Sequence, residues 1–262
     1  MPEETDNVFK GLYARFHDAF WDREELSEWP ILQQFLEPLP KNEFILYPGS
    51  GSGRFLGPAH EGGHVVYGIE PSSEMVAASR RKFPKAPLRE ESWEDFSSNT
   101  ESPVAAVIFP TFNLQLMDDP AAALKKAADL VKDEGQLYLT LFFPWFELNS
   151  DQPEGEWFED RRISLNEREG GGTAVFRSRF WTEEARGIVR REHNFQWLDT
   201  NGRLLEEDFH HERIRFFDDQ SLEKLLEKAG WQRKVREIYN LDPDDDGSDG
   251  VSLTTLFLEK KA

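Results

Sequence analysis

Residues 45–55 read ILYPGSGSGRF. An apolar run ends in three glycines, Gly49, Gly51 and Gly53, spaced two apart. Glycine is selected where the chain needs a positive φ, or where a ligand must come close to the main chain. A strand that ends in such a loop and leads into a helix offers a ring of free N–H groups, which suits an anionic or nucleotide-like group. The stretch therefore predicts both a ligand site and the start of an alternating strand–helix fold.

The flanking sequence carries that alternation. Phe9, Leu12, Tyr13, Phe16 and Phe20 recur at helical spacing over 8–21, and a second helix is expected over 29–37, ending at Pro38. The first strand covers 43–47, and GHVVYGIE (63–70) is the second. Pro71 and Ser72 then open a helix, with Ser72 or Ser73 as its cap and Glu74 in its first turn. A third strand is expected near 86–90. VAAVIFP (104–110) is apolar throughout and so reads as a strand buried on both faces. A helix over 120–132, closed by Asp133, Glu134 and Gly135, precedes a fifth strand over 136–143. Strands alternating with helices predict an α/β fold: a Rossmann-like, mostly parallel sheet with helices on both faces.

After 143 the pattern changes. Residues 173–217 hold three long strand-like runs joined by turns such as Asp199-Thr200-Asn201-Gly202, an antiparallel β excursion between strand five and the last helix. Residues 149–172, rich in Asp, Glu, Gly and Asn, read as a flexible entry to it. SLEKLLEKAG (221–230) restores a helix with Gly230 as its stop. Two final strands flank DPDDDGSDG (242–250), an exposed acidic loop. Three segments follow: 1–148 with the N-terminal helices and a ligand-binding core, 149–218 as an insertion on the substrate side, and 219–262 completing the core.

Composition narrows the function. The net charge of −19 opposes binding to nucleic acid or to an anionic membrane surface. With no cysteine in the 262 residues, disulfides, thiol nucleophiles and Cys-ligated metals are excluded. No metal-ligand set is recognisable, and no run reaches the ~20 apolar residues that span a bilayer. The N-terminus, MPEETDNVFK, is acidic where a signal peptide would be basic and then apolar. A soluble, cytoplasmic protein is expected. Its oligomeric state is not legible.

Glu70 closes the second strand, where a carboxylate accepts two hydrogen bonds from the hydroxyls of a ribose. A dinucleotide is disfavoured, because its fingerprint places the third glycine one residue later. Another adenosine-containing cofactor remains. At this point four segments together resemble the class I S-adenosylmethionine-dependent methyltransferases of the small-molecule type. These are ILYPGSGSGRF, VVYGIEPSSEM, VAAVIFPTFNLQLM and DLVKDEGQLYLTLFFP, which lie in the family's order and spacing over 43–143. The resemblance implies S-adenosyl-L-methionine as cofactor. Gly49, Ser50, Gly51 and Gly53 would line its methionine portion, Glu70 and Pro71 would lie at the ribose, and Met75 would pack on the adenine. Glu91, with Ser92 and Trp93 beside it, would accept from the adenine amino group. Pro110, Thr111 and Asn113 would lie at the mouth of strand four. The chain departs from the family at Tyr47, where an acidic residue is common, and Arg54 or a residue of the N-terminal helix would compensate.

Methyl transfer from a sulfonium is an in-line displacement that needs alignment, and a base only when the acceptor must lose a proton. His193 shares a strand face with Phe195 and Trp197, and His210 shares one with Ile214 and Phe216. Either histidine is a candidate base, as a packed histidine is the alternative for each. Tyr13, on the apolar face of the first helix, is the third catalytic candidate. Arg177 and Arg179 would pair with an acidic acceptor or simply form the wet face of their strand. The expected function is methyl transfer to a small-molecule acceptor, with the excursion walling the acceptor pocket. Two alternatives stay open: a different reaction on the same cofactor, and a non-catalytic binding protein with a degenerate first motif.

Overall fold

The structure is a computed structural model that describes residues 7–21, 28–97, 103–240 and 252–261. Its helices are α1 (Gly11–Trp21), α2 (Trp29–Leu36), α3 (Leu56–Glu61), α4 (Ser73–Lys82), α5 (Asn113–Leu116), α6 (Pro120–Leu130), α7 (Trp145–Asn149) and α8 (Asp219–Ala229). Its strands are β1 (Phe44–Pro48), β2 (Val65–Glu70), β3 (Leu88–Glu90), β4 (Val104–Phe109), β5 (Val131–Phe142), β6 (Phe158–Ser164), β7 (Thr173–Glu183), β8 (Ile188–Leu198), β9 (Leu204–Arg215), β10 (Trp231–Asn240) and β11 (Ser252–Lys260). They fall into two compact units, one drawn from residues 26–143 and 216–262, the other from 1–25 and 144–215.

The first unit is a seven-stranded sheet in the order β10-β11-β5-β4-β1-β2-β3. Strands β1 to β5 run parallel and β11 joins β5 antiparallel. All six residues of β4 are buried, as its apolar run requires of a strand covered on both sides. Val107 and Phe109 face α6 and α8, packing with Leu124, Leu222 and Leu226. Ala106 and Ile108 face α2 and α3, packing with Leu32, Phe35 and Leu56.

Local chemistry sets the helix ends. Ser72 caps α4 by accepting from the Met75 amide at 3.2 Å. Asp119 caps α6 ahead of Pro120, and Gly230 ends α8 in the left-handed region at φ +89°. The helix expected to reach 132 stops at Leu130. Val131 is apolar and buried, and it pairs with Val104, so it opens β5 five residues earlier than the apolar run suggests. Between β1 and β4 the strand order reverses, and the crevice beyond the carboxyl ends of those strands is where open α/β sheets bind ligands.

The second unit is an antiparallel sheet, β6-β7-β8-β9, with α1 on one face. Leu12, Phe16 and Phe20 of α1 pack with Ala174, Phe176 and Phe195. The first helix thus belongs with the antiparallel sheet, whereas the sequence reading grouped it with the ligand-binding core. The stretch read as a flexible entry contains β6, whose FEDRRIS is held by pairing with β7 from Phe158↔Ser178 to Ser164↔Thr173. The Asp199 turn forms as expected: its carboxylate accepts from the amides of Asn201 at 2.8 Å and Arg203 at 2.9 Å. The acidic loop over 242–250 lies outside the described residues.

Candidate functional site

The glycine loop leaves β1 with Gly49, Gly51 and Gly53 at φ +64°, +54° and +85°. A Cβ on Gly53 would lie 2.4 Å from Ser79 Oγ, so that glycine is fixed by close packing on α4. A Cβ on Gly51 would meet nothing within 4 Å. Its bareness is spent on open space, the condition for close approach of a ligand.

The loop amides do not form the ring of free donors that the glycines suggest. The amides of Gly49 and Ser50 both donate to Ile69 O, at 2.8 and 3.2 Å, and that of Gly53 donates to Ser50 O at 3.0 Å. The Gly51 amide donates to Glu70 Oε2 at 2.8 Å. The amides of Gly49, Ser50 and Gly51 thus bind the loop to the end of β2, and that of Gly53 closes a turn within the loop. What those four positions offer is a bare main-chain surface with no anion cradle, and this suits an uncharged or cationic group better than a phosphate.

Glu70 is 4% exposed, and its other oxygen accepts from the Ser72 amide at 2.9 Å. Burial pushes its carboxyl above the usual range, with the Ser72 and Gly51 amides pulling it back. Each oxygen takes one of these donors and keeps a second acceptor position, which matches a pair of vicinal hydroxyls. The Glu91 amide donates to Glu70 O at 3.2 Å, bringing Glu91 beside the end of β2. Ser92 instead closes a local turn with Asp95, and Glu91 pairs with Arg89 at 3.3 Å. Pro71 is exposed. Met75 and Trp93 are core residues: Met75 is fully buried, and the Trp93 indole stacks on Phe96 and donates to Ala123 O at 3.3 Å. The hydroxyl of Ser50 is buried with no hydrogen-bond partner among the described residues. An orphaned donor, an open glycine and a carboxylate with spare acceptor positions together fit an adenosine-type cofactor.

Beyond β4, Pro110 leads into Thr111 and Phe112, both non-glycine and both left-handed at φ +51° and +49°. Such backbone costs of order 1–3 kcal/mol per residue and persists only where its surroundings fix it. Asn113 Nδ2 donates to the carbonyls of Gly49 at 2.9 Å and Pro48 at 3.3 Å. Glu28 Oε2 accepts from the Thr111 amide at 2.9 Å and hydroxyl at 3.2 Å. Glu28 lies outside every motif and carries no local signal of this contact. Burial raises its carboxyl, against the hydrogen bonds from Thr140 and Thr111. Burial, then the neighbouring Glu28, also drive the Tyr47 phenol far above its ordinary value, so it stays neutral. Arg54 is half-buried, with its guanidinium over the Phe55 ring at 5.3 Å.

The three catalytic candidates come together in the antiparallel unit. Tyr13 stacks on Phe195 with centroids 4.8 Å apart and lies 5.3 Å from the His210 ring, which in turn is 6.2 Å from that of His193. His193 Nδ1 is 2.7 Å from Ser178 Oγ, and its Nε2 is 3.1 Å from Glu212 Oε2. The Ser178 hydroxyl donates to Asp160. Burial works to raise the Glu212 carboxyl, but His193, His210 and Arg191 outweigh it and hold the group down at about 2. Both ring nitrogens of His193 are thus engaged, Nδ1 with the Ser178 hydroxyl and Nε2 with the Glu212 carboxylate. Arg191 pairs with Glu147 in the same buried network. On the other side of the sheet Arg179 stacks over Trp157 and pairs with Glu192 at 2.6 Å, and Arg177 also lies over Trp157.

A family model described as a methyltransferase domain matches residues 17–234. The chain belongs to that family. Solved structures agree with the fold of this methyltransferase across nearly its whole length. An S-adenosylmethionine-dependent methyltransferase from Clostridium acetobutylicum is 12% identical with a TM-score of 0.69, covering 94% of this chain and 96% of that one. The sugar N-methyltransferase KedS8 from a Streptoalloteichus species is 19% identical at 0.67, covering 100% and 98%. CalS10, an amino pentose methyltransferase from Micromonospora echinaspora solved with S-adenosylmethionine bound, is 16% identical at 0.63, covering 96% and 99%. No curated protein matches the chain. The expectation of a methyltransferase with a Rossmann-like sheet is borne out. Among the described residues no helix is long and apolar enough to cross a membrane.

Proposed function

We propose that this methyltransferase acts on a small-molecule acceptor and holds its cofactor at the glycine loop, Glu70 and the turn after β4. The observation that carries the reading is the loop itself: the amides of Gly49, Ser50, Gly51 and Gly53 are turned inward and Gly51 faces open space, beside a buried carboxylate with spare acceptor positions. Phosphates find little purchase there, whereas a ribose and a sulfonium-bearing chain do. When bound there, S-adenosylmethionine would supply a methyl group on a positive sulfur for in-line transfer to a lone pair of the acceptor, with S-adenosylhomocysteine as the leaving group. The residues align and desolvate, which supplies roughly 7–11 kcal/mol in well-oriented cases.

Where the acceptor must shed a proton, His210 is the better candidate of the two histidines, because both ring nitrogens of His193 are tied to Ser178 and Glu212 at 2.7 and 3.1 Å. His193 with Glu212 and Ser178 then serves to hold its strand face in one arrangement. The test is turnover with a panel of small acceptors, amino sugars first, since two structural neighbours are named for that chemistry. Formation of S-adenosylhomocysteine in step with a methylated product is expected. Cofactor binding with no turnover on any acceptor class would support the non-catalytic alternative.

A further inference from the structure

Glu28 stands just ahead of α2 and is 3% exposed. A carboxylate taken that far from water is costly unless donors compensate it, so its partners indicate its use. One oxygen gathers both the amide and the hydroxyl of Thr111, and the other takes the Thr140 hydroxyl. Thr111 and Phe112 form the left-handed pair after β4. Asn113, the next residue, grips the carbonyls of Pro48 and Gly49 at the entry to the glycine loop. A continuous line of hydrogen bonds and strained backbone therefore runs from Glu28 through 111–113 to the first glycine of the cofactor loop.

We propose that Glu28 is a positioning residue for the cofactor: its carboxylate locks the left-handed turn after β4 and, through Asn113, sets the glycine loop in its binding shape. The inference rests on the reading of that loop as the cofactor site. Without the carboxylate, the turn loses both hydrogen bonds that Glu28 takes from Thr111 and relaxes toward ordinary backbone, taking the Asn113 contacts with it. A purely structural role would be different. Thr140 passes the network on to Thr255, whose hydroxyl lies 3.1 Å away between β5 and β11, remote from the turn in its bonding. Breaking that far end should cost stability alone.

Calorimetric titration with S-adenosylhomocysteine, alongside thermal melts, separates these roles. Glu28→Gln is expected to raise Kd by about 10-fold or more, since an amide cannot accept from every donor the carboxylate serves. Thr111→Val, which deletes one hydroxyl, is expected to raise it by about 3-fold, and Thr255→Val to lower the melting temperature with Kd within about twofold. A folded Glu28→Gln protein with the wild-type Kd would overturn the proposal, as would a Thr255→Val protein whose Kd rises as much. If Glu28→Gln does not fold, Thr111→Val decides: an unchanged Kd overturns the proposal and a raised one supports it. Absence of binding by the wild type would overturn the cofactor reading and this inference with it, whereas wild-type binding with unchanged variants overturns this inference alone.

Discussion

Glu70 does two jobs with one carboxylate. It binds the glycine loop through the Gly51 amide and starts the next helix through the Ser72 amide. In the proposed site its remaining acceptor positions are those a ribose would take. Glu70→Ala should therefore weaken S-adenosylmethionine binding by about 1.5–3 kcal/mol, the scale of hydrogen bonds to a charged group, read by calorimetry on folded protein. Affinity equal to the wild type would remove the ribose assignment. Gly51 gives a cleaner contrast. At φ +54° a side chain is strained, by about 1 kcal/mol for alanine, but it meets no neighbour. Gly51→Ala should thus melt only slightly lower yet lose most cofactor affinity. A large loss of stability with affinity intact would make the glycine structural.

At the scale of elements, the buried charges of the antiparallel sheet make acid stability a direct probe. The Glu212 carboxyl sits at about 2 against an ordinary 4.5. A group depressed in this way stabilises the fold above pH 4.5, and the contribution is lost as pH falls toward 2. Glu212→Gln should cost about 3 kcal/mol near neutrality, converging with the wild type at the acid end. Parallel curves across that window would show that the carboxylate is not held by the histidines. In the same sheet, His193→Ala should mainly lower the melting temperature. His210→Ala should lower turnover by about 100-fold if it takes the acceptor's proton. Both variants should leave cofactor affinity within about 0.5 kcal/mol. Wild-type turnover in His210→Ala would leave the histidine a packing role only.

How much of an element was legible depended on how local its cause is. The apolar run of β4, the Ser72 cap and the Gly230 stop each act within a few residues, and each reads directly from the sequence. Strand β6 did not, because FEDRRIS mixes charge on both faces and is a strand only through its pairing with β7. Val131 looked like the end of a helix until Val104 claimed it as a partner.

At the largest scale, the α/β architecture of the first unit follows from alternation alone. The part of the site built by long-range contact did not. Glu28 reaches residues 83 and 112 positions away, and no spacing rule connects them. The glycines mark the loop but mislead on its amides: those of Gly49, Ser50 and Gly51 go to Ile69 and Glu70 on the neighbouring strand, and that of Gly53 goes to Ser50. That inward turn is the basis for choosing a sulfonium cofactor over a dinucleotide, and it is open to a direct check. Calorimetric titration of the wild-type chain with S-adenosylmethionine and, separately, with a nicotinamide dinucleotide measures the choice. Saturable one-to-one binding of S-adenosylmethionine is expected, abolished or strongly weakened in Glu70→Ala, with no heat from the dinucleotide. Binding of the dinucleotide in preference, or of neither, would contradict it.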